Sequence, residues 1–160
     1  MKPILFFAAA LITQSIFALD IGAVAPAVSL PSLHLGIETQ IQVHAPVKAG
    51  QKVLLEFFQT NCSFCRENMP NVINAEKEAG DKAVVRHVGV DRSEADLRKF
   101  AVEHGDLNVV LDFQRAAKRA YEIRGTPTTY IITADGKIAY HHEGVWEESE
   151  KVKIREILAR

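Results

Sequence analysis

The stretch that most constrains this chain runs from Lys52 to Cys65. Val53 to Phe58 is apolar at both parities, interrupted only by Glu56. That pattern fits a strand covered on both faces and is too short for the core of a helix. Gln59-Thr60-Asn61 then turns the chain, and the turn delivers Cys62 and Cys65. A strand buried on both sides that opens into a helix needs layers above and below it. The stretch therefore predicts an α/β architecture with this strand near its centre.

The remaining chain supplies those layers. Leu19 to Gly50 carries Pro26, Pro31 and Pro46 with short alternating runs at Val28–Leu30 and Gln40–His44. This reads as a peripheral β-hairpin, because proline is tolerated on edge strands. Ser63 to Ala79 reads as a helix stopped by Gly80, with Pro70 removing one helical hydrogen bond and predicting a kink. Ala83 to Val90 reads as a strand, and Ser93 as the N-cap of a helix from Glu94 to Glu103. A short strand (Asn108–Leu111), an amphipathic helix (Phe113–Glu122) and a strand (Thr128–Thr133) follow. The Ala134–Lys137 turn leads into Ile138–His142, and Glu147 to Arg160 closes the chain as a helix. The fold class is α/β: a central mixed β-sheet covered by helices on both faces, with an N-terminal β-hairpin extension.

The first residues read separately. Lys2 precedes the apolar run Ile4–Ile12, a polar break at Thr13-Gln14-Ser15 follows, and Ala18 offers a small residue for cleavage. Residues 1–18 are therefore expected to be a signal peptide, leaving 19–160 as one domain. The alternative is a retained anchor, although even Ile4–Leu19 falls short of the ~20 apolar residues a spanning helix needs. Cleavage would shift the formal charge from −1 to −2. Neither value gives the basic footprint that nucleic acid or anionic lipid requires.

Export places the two cysteines, the only ones in 160 residues, where disulfides persist. A bridge closing so short a loop constrains the unfolded chain little, so the spacing argues for chemistry over stapling. Cys62 lies nearest the helix N-terminus, whose unpaired N–H groups and dipole favour a thiolate. Cys62 is thus the expected nucleophile and Cys65 the resolving thiol. Half of a zinc site is the rival reading, but no other cysteine exists. His34, His44, His87, His104, His141 and His142 show no ligand spacing to Cys62, so no metal is expected.

The run Val53–Cys65, then Arg66-Glu67-Asn68-Met69-Pro70, then Gly125-Thr126-Pro127-Thr128-Thr129-Tyr130 resembles the thioredoxin superfamily. Within it, the chain is most similar to the exported TlpA/ResA-like thiol-disulfide oxidoreductases. The resemblance implies a thioredoxin-like fold with Pro127 as a cis-proline beside the cysteines. The Thr126 backbone would then pair with an extended substrate segment. It also implies a buried acid at Glu56 that relays a proton to or from Cys65. The physical case for Glu56 stands beside this, since a carboxylate inside an apolar strand is costly to keep charged. The other reading has Glu56 escaping to a sheet edge. Phe64 stands where the family commonly has proline, and Asn61 and Phe58 also depart from its aromatic pattern. Phe64 is either an exposed apolar lip that grips partners or a packed aromatic.

The implied activity is reduction of protein disulfides in the periplasm, in the setting of cytochrome c maturation, with a membrane thiol donor and no small-molecule cofactor. A disulfide-forming oxidant or isomerase, and a copper-handling protein on the same fold, are the alternatives. A non-catalytic interaction module is disfavoured by the intact cysteines and Thr-Pro segment.

Overall fold

The computed structural model describes residues 19–160; the expected signal peptide at 1–18 lies outside the described residues. Seven strands form one mixed sheet in the order β2-β1-β5-β4-β3-β6-β7. They are β1 (Ser29–Ser32), β2 (Gly36–Gln42), β3 (Lys52–Phe58), β4 (Ala83–Gly89), β5 (Val109–Leu111), β6 (Thr128–Ile132) and β7 (Ile138–Glu143). Four helices pack on it: α1 (Ser63–Ala79), α2 (Glu94–Glu103), α3 (Ala116–Ala120) and α4 (Glu148–Ala159).

β3 is interior to the sheet, parallel to β4 and antiparallel to β6. Every residue of it after Lys52 is buried, which explains why its apolar residues occur at both parities. β4 continues in parallel to β5, and β7 closes one edge antiparallel to β6. At the other edge the antiparallel pair β1–β2 joins β5 through Ser32 opposite Val110.

The two sides of the sheet are covered unequally. Leu54 packs with Val72, Ala75 and Ala79 of α1 and Ile154 and Leu158 of α4, while Phe58 packs with Met69 of α1 and Leu97 and Phe100 of α2. α2 lies close because Gly89 has no Cβ; one there would collide with the Leu97 side chain. On the far side, Val53, Leu55 and Phe57 meet Ala117 and Tyr121 of the α3 segment together with Ala25, Leu30 and Val43. Helices thus cover both faces, with one short helix and the N-terminal segment serving the second.

α1 runs from Ser63 through Pro70 to its expected stop at Gly80. One expectation needs adjustment. The helix expected over Phe113–Glu122 shrinks to five residues, Ala116–Ala120. The cause is local: the buried Asp112 carboxylate accepts from Ala117 N (3.2 Å) and Lys118 N (2.7 Å), taking over the helix N-terminus. Arg115 and Glu122 flank the helix with left-handed φ of 55° and 53°, which breaks it at both ends.

Candidate active site

The β3–α1 turn sets the position of the cysteines. Thr60 is tied to the end of β4 by two bonds to Asp91, N to Oδ2 and Oγ1 to Oδ1, both 3.0 Å. Cys62 N donates back to Gln59 O (3.3 Å). Cys62 then serves as the N-cap of α1, with extended backbone, and its Sγ accepts from Cys65 N at 3.1 Å. A sulfur placed at this cap meets a backbone N–H and the positive end of the helix dipole, both of which favour its thiolate. Cys62 and Cys65 are joined as a disulfide with Cα atoms 5.2 Å apart. Cys65 is buried against Phe58 and Met69. Cys62 is the less buried of the two residues.

The Thr126–Pro127 segment forms the facing wall. Its peptide bond is cis, and Cys62 Sγ stands 3.3 Å from Thr126 O. Beside it an open groove of about 660 Å³ is lined by Phe64, Thr126, Pro127, Val145 and Trp146. Phe64 is 62% exposed at this groove, which decides between its two readings in favour of the exposed ring.

Glu56 does not escape to an edge; it is 1% exposed, on the α1 side of the central strand. Asn68 Nδ2 donates to its Oε1 (2.8 Å) and Thr129 Oγ1 to its Oε2 (2.6 Å). Burial pushes the carboxyl up to about 7, while these two hydrogen bonds pull against that rise. The strand registers place His142, Thr129, Glu56 and His87 opposite one another across β7, β6, β3 and β4. Paired residues on neighbouring strands share a face, so a polar row crosses the sheet beneath α1. His87, also 1% exposed, has Nε2 at 3.5 Å from Glu76 Oε2, and neither ring nitrogen has a hydrogen-bond partner.

The structure therefore brings together Cys62, Cys65, Thr126 and Pro127 directly, with Phe64 at the rim and Glu56 beneath α1. Sequence reasoning missed Asn68, Thr129, Trp146 and His87. Thr129 lay within the quoted Thr-Pro segment, while the position of Trp146 just ahead of the last helix suggests only that it seats that helix. It does pack with Ile154 and Leu158, but it also donates from its backbone N to Asn68 Oδ1 and from its indole to Thr129 Oγ1.

Comparison with known proteins agrees with this frame. The chain is 33% identical over 104 residues to the thioredoxin-like protein YneN of Bacillus subtilis (strain 168), covering 63% of this chain and 61% of that one. It is 31% identical over 102 residues to the thiol-disulfide oxidoreductase ResA of the same strain, covering 62% and 57%. The chain thus spans less than two thirds of these curated relatives' own length. Among solved structures it is similar to the thioredoxin domain of a thiol-disulfide oxidoreductase from Bacteroides vulgatus, with TM-score 0.75 and 25% identity over 88% of this chain and 99% of that one. A thiol:disulfide interchange protein from Bacteroides sp. superposes with TM-score 0.71 and 25% identity, covering 90% and 93%. The expected thioredoxin-like fold and ResA-like resemblance are borne out. Residues 21–141 match the AhpC/TSA family, and the chain belongs to it.

Proposed function

We propose that this chain is a thiol-disulfide oxidoreductase that reduces disulfides of exported proteins in the periplasm. The observation that carries the reading is the Cys62–Cys65 pair at the head of α1, with Cys62 Sγ 3.3 Å from Thr126 O beside cis Pro127. In the reduced protein the Cys62 thiolate attacks one sulfur of a substrate disulfide, whose other sulfur leaves as a thiolate and takes up a proton. A mixed disulfide results. Cys65, giving its proton to Glu56, then attacks Cys62 Sγ; the mixed disulfide breaks, and the second substrate sulfur leaves as a thiolate that takes up a proton from solvent to complete the dithiol. Two electrons have passed to the substrate, and the Cys62–Cys65 disulfide remains. A carboxyl held near 7 both accepts and returns a proton at neutral pH, which supports Glu56 as the relay.

The substrate segment lies extended against Thr126 and Pro127, with Phe64 as an apolar lip. The expected signal peptide at residues 1–18 supports export, and a membrane thiol donor would restore the dithiol. The reducing direction is supported by the modest content of residues 66–126, which beyond α1 hold only β4, α2, β5 and α3 and a single 3₁₀ turn. The ResA-like resemblance extends the reading to proteins undergoing cytochrome c maturation.

Insulin reduction tests the reading: the wild type should turn over, and Cys62→Ser should lose essentially all activity. Equal rates for the two proteins would end it. Equilibration against glutathione reads the direction, with a potential near the reducing end of the range expected, at about −270 mV, and one near about −120 mV overturning reduction in favour of oxidation.

A further inference from the structure

Both oxygens of Glu56 accept from donors that are themselves held by one residue. Behind Asn68 and Thr129 stands Trp146, whose backbone N–H donates to Asn68 Oδ1 (2.9 Å) and whose indole Nε1–H donates to Thr129 Oγ1 (2.7 Å). A backbone N–H and an indole N–H only donate. The Asn68 atom facing Trp146 N is therefore the oxygen, which also receives Asn71 Nδ2 at 3.3 Å. That leaves the amide nitrogen for Glu56. The Thr129 oxygen accepts from the indole on one lone pair, and its single hydrogen is directed to the acceptor it meets at 2.6 Å, Glu56 Oε2. Glu56, Asn68, Thr129 and Trp146 are all at most 2% exposed, and water offers no alternative partner.

We propose that Trp146 is a positioning residue for Glu56: it fixes the direction of both hydrogen bonds at the carboxyl, so that Glu56 is met by two donors. Two donors suit a carboxylate. A protonated carboxyl must itself donate, and can do so only after one of the two is turned round. Trp146 opposes both turns: it holds the Asn68 oxygen in place, and a Thr129 hydroxyl turned to accept from Glu56 would have both lone pairs taken and its hydrogen without the carboxyl as acceptor. Burial drives Glu56 toward the protonated form and the donors drive it back, so loss of Trp146's hold lets burial prevail. Trp146 also borders the groove beside Phe64 and Pro127, which connects the substrate face to the central strand. The consequence for turnover rests on Glu56 being the relay; the direction of the hydrogen bonds does not.

Other titratable groups face this ring. His87 is the register partner of Glu56 on β4, with Glu76 of α1 beside it, and His142 is the register partner of Thr129 on β7. Cys65 faces the same side from α1. The test therefore follows the Glu56 carboxyl itself. Its side-chain carbon is titrated by 13C NMR in the full chain as wild type, Trp146→Phe, Thr129→Val and the double variant, with His87 and His142 unchanged. Trp146→Phe should raise the midpoint by roughly one unit, and Thr129→Val likewise. The double variant should rise no further than Thr129→Val, because the indole acts through that hydroxyl. An unmoved midpoint in Trp146→Phe, or shifts that add in the double variant, overturns the proposal.

Should Trp146→Phe not fold, the wild type decides. Trp146 is the only tryptophan, and its indole N–H resonance should titrate with the Glu56 midpoint and lose that transition in Glu56→Gln. An indole resonance that lacks the transition, or keeps it in Glu56→Gln, overturns the proposal. The pH profile of insulin reduction separates the two readings: with the carboxyl midpoint raised in Trp146→Phe, a profile that stays put ends the relay role and leaves the positioning role standing.

Discussion

β3 turns two unlike surfaces to its two sides. Away from α1, Val53, Leu55 and Phe57 enter one continuous apolar cluster with Tyr121, Tyr130 and Ile132. Its rings are in contact, with Phe57 5.5 Å from Tyr121 and Tyr121 5.3 Å from Tyr130 between centroids. Toward α1, the apolar packing is split. Leu54, Val72, Ile131 and Trp146 form one cluster and Phe58, Cys65, Met69 and Phe100 another. The row His142–Thr129–Glu56–His87 crosses the sheet between Ile131–Leu54–Val85 on one side and Phe58 opposite Gly89 on the other. The difference separates two tasks along a single strand. On one face β3 contributes only apolar side chains, with the titratable His141 and Arg86 standing on neighbouring strands beyond Tyr130 and Leu55; the other interrupts its own packing to hold a titrating carboxyl of β3 itself beneath the cysteine helix.

The largest effect should come from the dry face. Phe57 is fully buried among Tyr121 and Tyr130. Phe57→Ala leaves a cavity there and should cost about 3–5 kcal/mol in urea denaturation. The dependence of stability on pH should keep its wild-type shape. A changed slope would show that the two faces are coupled and would break the comparison.

Next in size is Glu56→Gln, read on the polar face. The folded protein binds the Glu56 proton more tightly than the unfolded chain, with the folded value raised from 4.5 to about 7. The stability this contributes is fully present below the unfolded value and is lost as pH rises through the folded one. For a shift of this order the loss amounts to roughly 3 kcal/mol between the acid and alkaline limits. Glu56→Gln should remove that part of the slope between about pH 4.5 and 8, whatever it does to the absolute level. Denaturation midpoints across this range check it, and a slope equal to wild type would place the titration elsewhere.

The two faces were not equally legible from the chain. β3, α1 and α2 could be read with their ends because the cues are local: both parities apolar in Lys52–Phe58, Gly80 after α1, Ser93 before α2. The cysteine pair was legible for the same reason. α3 was misread in extent because a side chain reaching five and six residues ahead, that of Asp112, replaces an ordinary first turn. The ring around Glu56 lay beyond reach for a different cause. Thr129 is 73 residues from Glu56, and Trp146 is 78 from Asn68. Such contacts follow from strand order and register, and hydrophobic periodicity does not encode which polar residues will be neighbours. The polarity of Glu56 within its strand was visible; the groups that satisfy it were not.

The smallest effect isolates what a buried hydroxyl does on each face. Tyr121 Oη donates to Pro26 O (2.9 Å) and Tyr130 Oη to Tyr121 O (3.0 Å), so the dry face also contains hydroxyls with partners. These partners are backbone carbonyls that do not titrate, and the bonds tie the N-terminal segment and the α3 exit to the core. Tyr121→Phe keeps the ring and removes one such bond, at a cost of roughly 1 kcal/mol. The loss should be the same at pH 5 and pH 8, and insulin reduction should be unaltered. The Thr129 hydroxyl makes a shorter bond (2.6 Å), and to a carboxyl that changes its charge over this range. If Tyr121→Phe altered the pH slope or the exchange rate, the contrast between the faces would reduce to one of composition. If it does not, what sets the α1 face apart is the ionisable acceptor to which its hydroxyl points.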